Sequence, residues 1–261
     1  MKVIDLHTHS FPDKIAEKAI GKLSSRTGEI QPVLDGKLSS LIASMDEAGV
    51  AVSCVSSIAT KPEQASSILE WSLSIRSERI IPIPSFHPYS AEAERTIASI
   101  RSAGFAGVKL HPLYQQFTVD DPSLDTVYEQ LRAERLFVLF HAGYDIAFPG
   151  DDKAAPSRIE RIAARFPGLR IIAAHLGGWR DWEESFRCLA GKDIYLDTSF
   201  MHEADLPLAV KILSSHSQDR VCYGSDSPWV SQKESIQFVD SLPLSDSYKE
   251  KIFSGNAENL F

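Results

Sequence analysis

Histidine and acidic residues stand at regular places along the chain, close to the ends of apolar segments. His7 and His9 are two residues apart near the start of the sequence. In an extended segment, both imidazoles face the same way. A third nitrogen from His141 and an oxygen from Asp226 would complete a donor set suited to a divalent transition metal. A single histidine more often only satisfies a hydrogen bond, whereas this repeated placement favours a metal site.

Eight short segments rich in valine, isoleucine and phenylalanine alternate with segments of helical period. The predicted strands are residues 3–7, 51–58, 80–86, 107–111, 136–141, 169–175, 194–199 and 221–226. The predicted helices are residues 37–48, 64–76, 91–103, 123–134, 157–166, 182–190 and 206–216. The third strand is the weakest prediction, because Pro82 and Pro84 interrupt it.

The strands are apolar throughout, which is typical of a parallel sheet covered by helices on both faces. Eight strand–helix alternations within 261 residues predict a single α/β domain, a (β/α)8 TIM barrel over residues 1–261. A doubly wound open sheet is the alternative, but no glycine-rich fingerprint follows the first strand. Six of the eight strands end in, or directly precede, a residue that binds metals or transfers protons. In a barrel these side chains converge on one cavity.

Composition limits the function further. The chain has 27 Lys+Arg and 35 Asp+Glu, a formal net charge of −8, which argues against a nucleic-acid or anionic-membrane surface. No apolar stretch is long enough for a membrane span, and the first residues lack the features of a signal peptide. The three cysteines lie too far apart for a disulfide framework. We therefore expect a cytoplasmic protein with a small-molecule substrate, and a homodimer would be compatible with this kind of barrel.

The chain resembles the amidohydrolase superfamily, specifically the amidohydrolase-related branch that includes aminocarboxymuconate-semialdehyde decarboxylase. The motifs that carry the resemblance extend from end to end and comprise residues 5–9, 107–112, 141–143, 175–178, 197–199, 224–228 and 255–261. The resemblance implies a deformed barrel that holds one divalent metal. Zinc is the expected ion, with manganese, cobalt and iron as alternatives.

The resemblance also implies roles for individual residues. His7, His9 and His141 would be metal ligands, and Asp226 a ligand or near-ligand. His175 would be an acid/base group beside the metal, or a ligand of a second metal in two-metal relatives. Lys109 would be carboxylated and bridge the ions in some two-metal relatives, whereas in the single-metal branch it need not be modified.

Substrate-binding residues are predicted around this centre. Lys109 and His111 have the same strand parity, so both can face the cavity and bind an anionic group. Pairing of Lys109 with a barrel carboxylate such as Asp5 is an equally compatible alternative. Tyr144 and Trp229 each follow a predicted metal-site residue by three positions, and we expect both to contact the substrate.

The predicted chemistry is hydrolysis of a C–N or C–O bond in an amide, cyclic amide, lactone or ester. A divalent ion lowers the pKa of its water from about 15.7 to about 7. Asp226 would take the proton as this water attacks a carbonyl, and His175 would stabilise the oxyanion.

Non-oxidative decarboxylation of a small aromatic or unsaturated carboxylic acid is the alternative. The cation that such enzymes use has no matching motif here, and the first loop is interpreted as short. A TatD-like nuclease would prefer glutamate where Lys109 stands. An inactive binding protein is disfavoured, because none of the expected ligands is missing.

Overall fold

Eight parallel strands alternate with helices in the computed structural model, which describes residues 2–261. Strands β1 to β8 are Ile4–Thr8, Val52–Ser56, Ile80–Ile83, Gly107–Leu110, Phe137–Phe140, Ile171–Ala173, Tyr195–Asp197 and Val221–Cys222. Helices α1 to α11 are Asp13–Thr27, Leu38–Ala48, Gln64–Ile75, Ala93–Ser102, Asp125–Ala133, Pro156–Arg165, Trp182–Leu189, Leu206–Ser215, Gln232–Ser241, Asp246–Glu250 and Asn256–Glu258. Short 3₁₀ turns at Pro122–Leu124, Met201–Glu203 and Gln218–Arg220 and a π-turn at Lys251–Gly255 connect them.

The strands form two parallel ladders, β1-β2-β3 and β4 through β8, in chain order. Backbone hydrogen bonds join the ladders at both seams. The Lys109 amide donates to the Pro84 carbonyl at 2.9 Å, and the Leu6 amide donates to the Tyr223 carbonyl at 2.9 Å. Both ladders thus belong to one closed ring of eight strands, and the predicted (β/α)8 barrel is confirmed.

The strand residues alternate between two apolar environments. On β5, Phe137 and Leu139 pack with Leu6 in the barrel interior, whereas Val138 and Phe140 pack beneath the surrounding helices. Successive side chains of a strand point to opposite faces, so a strand buried on both faces is apolar at every position. This burial explains the unbroken apolar runs in the sequence.

All eight predicted strands are present, but most end before the polar residue that closes the predicted segment. β6 ends at Ala173 and β8 ends at Cys222, so His175 and Asp226 lie just beyond them. Both residues have left-handed backbone, with φ of 60° and 63°. This conformation is uncommon outside glycine and breaks the extended path. His175 and Asp226 therefore lie in loops at the rim of the barrel, whereas His7 and Lys109 lie within β1 and β4.

The seven predicted helices are present, but the interpretation of the first loop as short was wrong. Helix α1 stands between β1 and the crossover helix α2, and the periodicity missed it because only Ala16 and Ile20 are buried along its 15 residues. The two ends of the segment that contains α1 are joined by a hydrogen bond from the Phe11 amide to the Gly36 carbonyl at 2.8 Å. Within residues 2–261, no helix is both long and apolar enough to cross a membrane.

Candidate active site

The strand-end residues converge on a cavity of about 800 Å³ at the carboxyl ends of the strands. The predicted site residues that line it are His7, His9, Lys109, His111, His141, His175, Asp226 and Trp229. Much of the remaining wall is apolar and aromatic, and the loops after β1, β4, β5, β6 and β8 contribute to it. The barrel therefore brings the polar residues of five strand ends to one place.

Three of the predicted metal ligands lie close together at the base of this cavity. The Nε2 atoms of His7 and His9 are 3.3 Å apart. The Oδ1 atom of Asp226 lies 3.2 Å from His9 Nε2 and 3.5 Å from His7 Nε2. This oxygen is buried and accepts no hydrogen bond from any residue between 2 and 261.

The other nitrogen of each of these two imidazoles is fixed by an acceptor. His7 Nδ1 lies 2.8 Å from a carboxylate oxygen of Asp197, and His9 Nδ1 lies 2.9 Å from the Ser56 carbonyl. Neither acceptor can donate, so both Nδ1 atoms carry the hydrogen. The Nε2 atoms of His7 and His9 consequently present lone pairs to each other and to Asp226.

His141 and His175 form a second pair of the same kind. His141 Nε2 donates to the Tyr144 carbonyl at 3.1 Å. His175 Nδ1 donates to the Ser199 hydroxyl at 2.8 Å, because that hydroxyl gives its own hydrogen to Asp197. The two remaining nitrogens, His141 Nδ1 and His175 Nε2, face each other at 3.0 Å.

This donor set fits a divalent cation. Lone pairs that face each other repel unless a cation or a proton lies between them. Separations of 3.2–3.5 Å among the atoms of His7, His9 and Asp226 match the edges of a tetrahedron with bonds of about 2.0–2.1 Å. Burial lowers the pKa of the His7, His141 and His175 imidazoles, which keeps them in the neutral form that binds metals. His141 faces His175 rather than the other three, so its assignment as a ligand stays a prediction.

Lys109 is fully buried beside this cluster. Its Nζ atom lies 2.9 Å from His7 Nε2 and can donate a hydrogen to it. Burial lowers the pKa of Lys109 to about 8, although Asp226 and Asp197 act in the opposite direction. Asp5 is not its partner, because that carboxylate accepts from Ser225 and Gln232 instead.

Two predicted substrate contacts have different environments. His111 lines the cavity, stacks on His141 with ring centroids 4.1 Å apart, and lies 3.4 Å from Asp145. The side chain of Tyr144 packs against Trp179 and is not among the residues that line the cavity. Tyr144 contributes through its carbonyl, which orients His141, so the geometry does not support its predicted contact with substrate.

Sequence reasoning missed the residues that orient the imidazoles. Asp197 accepts from His7 and also from the backbone amides of His175 and Ser199, at 2.9 and 3.0 Å. Asp197 is the last residue of β7. For each of the other strands from β4 to β8, a polar residue at the strand end was predicted to take part in the site, but no such role was predicted for Asp197. Asp197 lies near the end of the predicted strand 194–199, and this position was a usable signal. Ser56 acts through its carbonyl, for which side-chain type gives no signal.

Comparison with known proteins agrees with this geometry. The amidohydrolase family model matches residues 4–261. No curated protein sequence matches the chain. Among solved structures, an uncharacterized TIM-barrel protein from Bordetella bronchiseptica is 20% identical, with a TM-score of 0.79 over 100% of this chain and 98% of that one.

Two decarboxylases are also similar in fold. 5-Carboxyvanillate decarboxylase from Sphingomonas paucimobilis is 16% identical, with a TM-score of 0.73 over 100% and 98% of the two chains. Dihydroxybenzoic acid decarboxylase from Polaromonas sp. JS666, with bound manganese and 2-nitroresorcinol, is 15% identical, with a TM-score of 0.75 over 99% and 96%. The family match covers nearly the whole chain, and the protein is therefore an enzyme of the divalent-metal-dependent amidohydrolase family.

Proposed function

We propose that this enzyme is a metal-dependent decarboxylase of a small aromatic or unsaturated carboxylic acid. The observation that carries the proposal is the combination of facing imidazole lone pairs with aromatic side chains that line the same cavity. The aromatic wall residues are Phe11, Tyr114, Phe148, Trp179, Phe200 and Trp229. A planar ring fits between such walls, and its carboxylate would then point at the polar base.

The comparisons support this choice over hydrolysis, which was the first expectation from the sequence. The two decarboxylases of similar fold act on aromatic carboxylic acids, 5-carboxyvanillate and dihydroxybenzoic acid. At 15–16% identity they share the fold alone with this chain. The aromatic lining of this cavity is the independent observation that makes their substrate class relevant here.

We propose that one divalent ion binds per chain, held by His7, His9 and Asp226 and reached by His141 or His175. Zinc is the expected ion from the histidine-rich donor set, and manganese is the alternative, because a neighbour of similar fold contains it. When bound, the ion supplies a positive charge that holds the substrate and withdraws electron density from it.

The chain's own residues provide the remaining steps. Decarboxylation breaks the bond between the ring and the carboxylate, releases CO₂ and leaves the electron pair on the ring carbon, which must take up one proton. Lys109 offers a buried cation for a substrate oxygen. His175 lines the cavity and its Nε2 atom carries no hydrogen of its own, so His175 can take a proton from solvent water and pass it to the ring carbon. Ser199 and Asp197 hold its ring in place.

Hydrolysis is the second candidate, favoured by Asp226. Its Oδ1 atom is buried and accepts no hydrogen bond within residues 2–261, so it is available to accept a proton from an attacking water. In this reaction Asp226 rather than His175 carries the essential proton transfer.

The test is a comparison of substrates on metal-loaded enzyme. Aromatic acids such as 2,6-dihydroxybenzoate and 5-carboxyvanillate are incubated with the protein, and CO₂ release is measured beside the hydrolysis of lactones and cyclic amides. We expect CO₂ release that disappears in the variant carrying both His7→Ala and His9→Ala. Hydrolysis of a lactone or amide without any CO₂ release across the acids would overturn the proposal.

A further inference from the structure

Asp145 and His111 form a buried polar pair in the lining of the cavity. Both residues line it, and they are only 7% and 6% exposed. Asp145 Oδ2 lies 3.4 Å from His111 Nε2. This separation is long for a hydrogen bond, which usually has about 2.7–3.2 Å between nitrogen and oxygen. The two side chains therefore leave hydrogen-bonding capacity unused inside the cavity.

Each member of the pair has an atom without a good partner. Asp145 Oδ1 accepts from the Ala147 amide at 2.8 Å, whereas Oδ2 has no hydrogen-bond donor near it but His111 among residues 2–261. No lysine or arginine of that range forms a salt bridge with this carboxylate. His111 Nδ1 is buried and has no hydrogen-bond partner there. Buried polar groups without partners are costly, so a ligand that satisfies them is favoured.

Both side chains are held in place without a ligand. The His111 amide donates to the Gln115 side chain at 2.7 Å, and the His111 ring lies nearly parallel to His141, at an angle of 7°. The hydrogen bond from the Ala147 amide fixes the Asp145 carboxylate in its loop. Groups that are already ordered bind a ligand at a lower entropic cost.

The pair contacts both the imidazole cluster and an aromatic wall. His111 stacks on His141 with ring centroids 4.1 Å apart, and His141 in turn faces His175. The ring of Tyr114, which also lines the cavity, makes an edge contact with His111 at 4.7 Å. A substrate ring that packs on Tyr114 and directs its carboxylate to the imidazole cluster can therefore place another substituent beside the pair.

A hydroxyl group matches the chemistry of these two side chains. It both donates and accepts a hydrogen bond, so it can donate to Asp145 and accept from His111. Fluorine and an ether oxygen cannot donate, and a second carboxylate would meet the negative charge of Asp145. Asp145 therefore favours a hydroxyl over the anionic group that the sequence led us to expect at His111.

We propose that Asp145 and His111 form a hydroxyl-binding subsite, which selects aromatic acids with a hydroxyl group away from the reacting carboxylate. Asp145 is the residue that determines this specificity, because its free oxygen needs a donor. The inference rests on the proposed function, which places the carboxylate of the substrate at the metal. A hydroxyl ortho to that carboxylate would lie next to the metal, so the subsite reads the meta or para position.

Binding of unreactive probes tests this subsite without depending on turnover. The probes are phenylphosphonates, in which a phosphonate replaces the carboxylate and no CO₂ can be lost. Each carries a hydroxyl, a fluorine or a methoxy group at the meta or the para position. Dissociation constants are measured by isothermal titration calorimetry on metal-loaded enzyme. For at least one position, we expect the hydroxyl compound to bind about tenfold more tightly than its fluorine and methoxy counterparts.

Asp145→Asn should reduce this preference at least about threefold, because an amide lacks the charge that strengthens the hydrogen bond. The new side chain can still accept from the Ala147 amide, so the loop should keep its conformation. Asp151→Asn is the matched control and should leave the preference unchanged. Asp151 lies in the same loop and also accepts from the amide two residues ahead, that of Lys153, but it does not line the cavity.

A purely structural effect of Asp145 would change the affinities for the hydroxyl and fluorine compounds together and leave their ratio as it was. Three results would overturn the subsite: equal binding of both compounds at both positions in the wild type, an unchanged preference in Asp145→Asn, or an equal loss in Asp151→Asn. CO₂ release from an aromatic acid without a hydroxyl would in each case leave the proposed function standing.

Discussion

His141 Nδ1 lies 3.0 Å from His175 Nε2, although neither nitrogen carries a hydrogen for the other. Each ring donates its one hydrogen to another group: His141 donates to the Tyr144 carbonyl, and His175 donates to the Ser199 hydroxyl. His7 and His9 repeat the arrangement a few ångströms away. The fold thus builds four imidazole lone pairs into one polar base, an arrangement that a bound cation stabilises.

Removal of the metal should therefore destabilise the protein. With an ion at about one hundred times its dissociation constant, binding contributes about 2.7 kcal/mol to the free energy of unfolding. A chain of this size changes Tm by about 2–4 °C per kcal/mol, so chelation should lower Tm by roughly 5–10 °C. Differential scanning calorimetry with and without chelator measures this. The variant with His7→Ala and His9→Ala should show no chelator effect, and an unchanged Tm in the wild type would contradict the prediction.

Asp197→Asn should weaken metal binding although Asp197 is not an expected ligand. The carboxylate fixes the tautomer of His7, and an amide in its place can turn a donor toward Nδ1. Loss of such an orienting carboxylate costs about 10- to 100-fold in metal affinity. Competition with a chromophoric chelator measures the change. Asp193→Asn is the matched control, because Asp193 is an exposed carboxylate that pairs with Arg220. Equal affinities in the two variants would refute the orienting role.

These orienting contacts show where the sequence was informative. The strand ends of β1, β4, β5, β6 and β8 could be read directly, because a parallel barrel forces its strand termini to one rim. The groups that accept hydrogen bonds from the imidazole rings could not be predicted from the sequence. Ser56 and Tyr144 act through carbonyls, which every residue has, and their use depends on loop geometry. Helix α1 was not predicted because it lines a cavity instead of packing on the core. Its sequence therefore lacks the wide apolar stripe by which a helix is recognised.

His175→Asn and Asp226→Asn together separate the two candidate reactions. If His175 protonates the ring carbon, His175→Asn should lower kcat for CO₂ release by about 10²- to 10⁴-fold. Asp226→Asn should keep the fold and much of the metal while turnover falls. For hydrolysis, Asp226→Asn should be the more severe change. Steady-state kinetics on metal-loaded variants, with metal content measured in each, checks this. Full activity of either variant would show that the substituted residue does not carry out the proton transfer proposed for it.

Acid should destabilise the metal-free protein in the range just below neutral pH. Burial lowers the pKa of six histidines in the folded state, namely His7, His87, His111, His141, His175 and His216. In the unfolded chain they titrate near 6.5, so the unfolded state takes up more protons as pH falls. Stability is fully present above that pKa and is lost as pH falls below it, by up to about 1.4 kcal/mol per pH unit for each group.

His216 allows this effect to be isolated, because it lies outside the cavity and bonds to the Ile194 carbonyl and the Gly191 amide. Thermal unfolding of chelated protein between pH 7 and pH 5 should show a falling Tm. His216→Gln should make that fall shallower without changing metal content. A Tm that stays constant over this range would show that the buried histidines are not neutral in the folded protein.

Lys109→Met decides between one metal and two. Lys109 Nζ lies 2.9 Å from His7 Nε2, so a charged lysine competes with a metal for that lone pair. Methionine keeps the length and the apolar stem and removes the competitor. We expect the variant to bind one ion per chain at least as tightly as the wild type, with turnover reduced at least about tenfold because the substrate loses a buried cation. Elemental analysis gives the stoichiometry, and Lys192→Met at an exposed pair with Glu160 is the control. A fall from two ions to one in Lys109→Met, with no fall in the control, would instead establish a carboxylated lysine that bridges two metals.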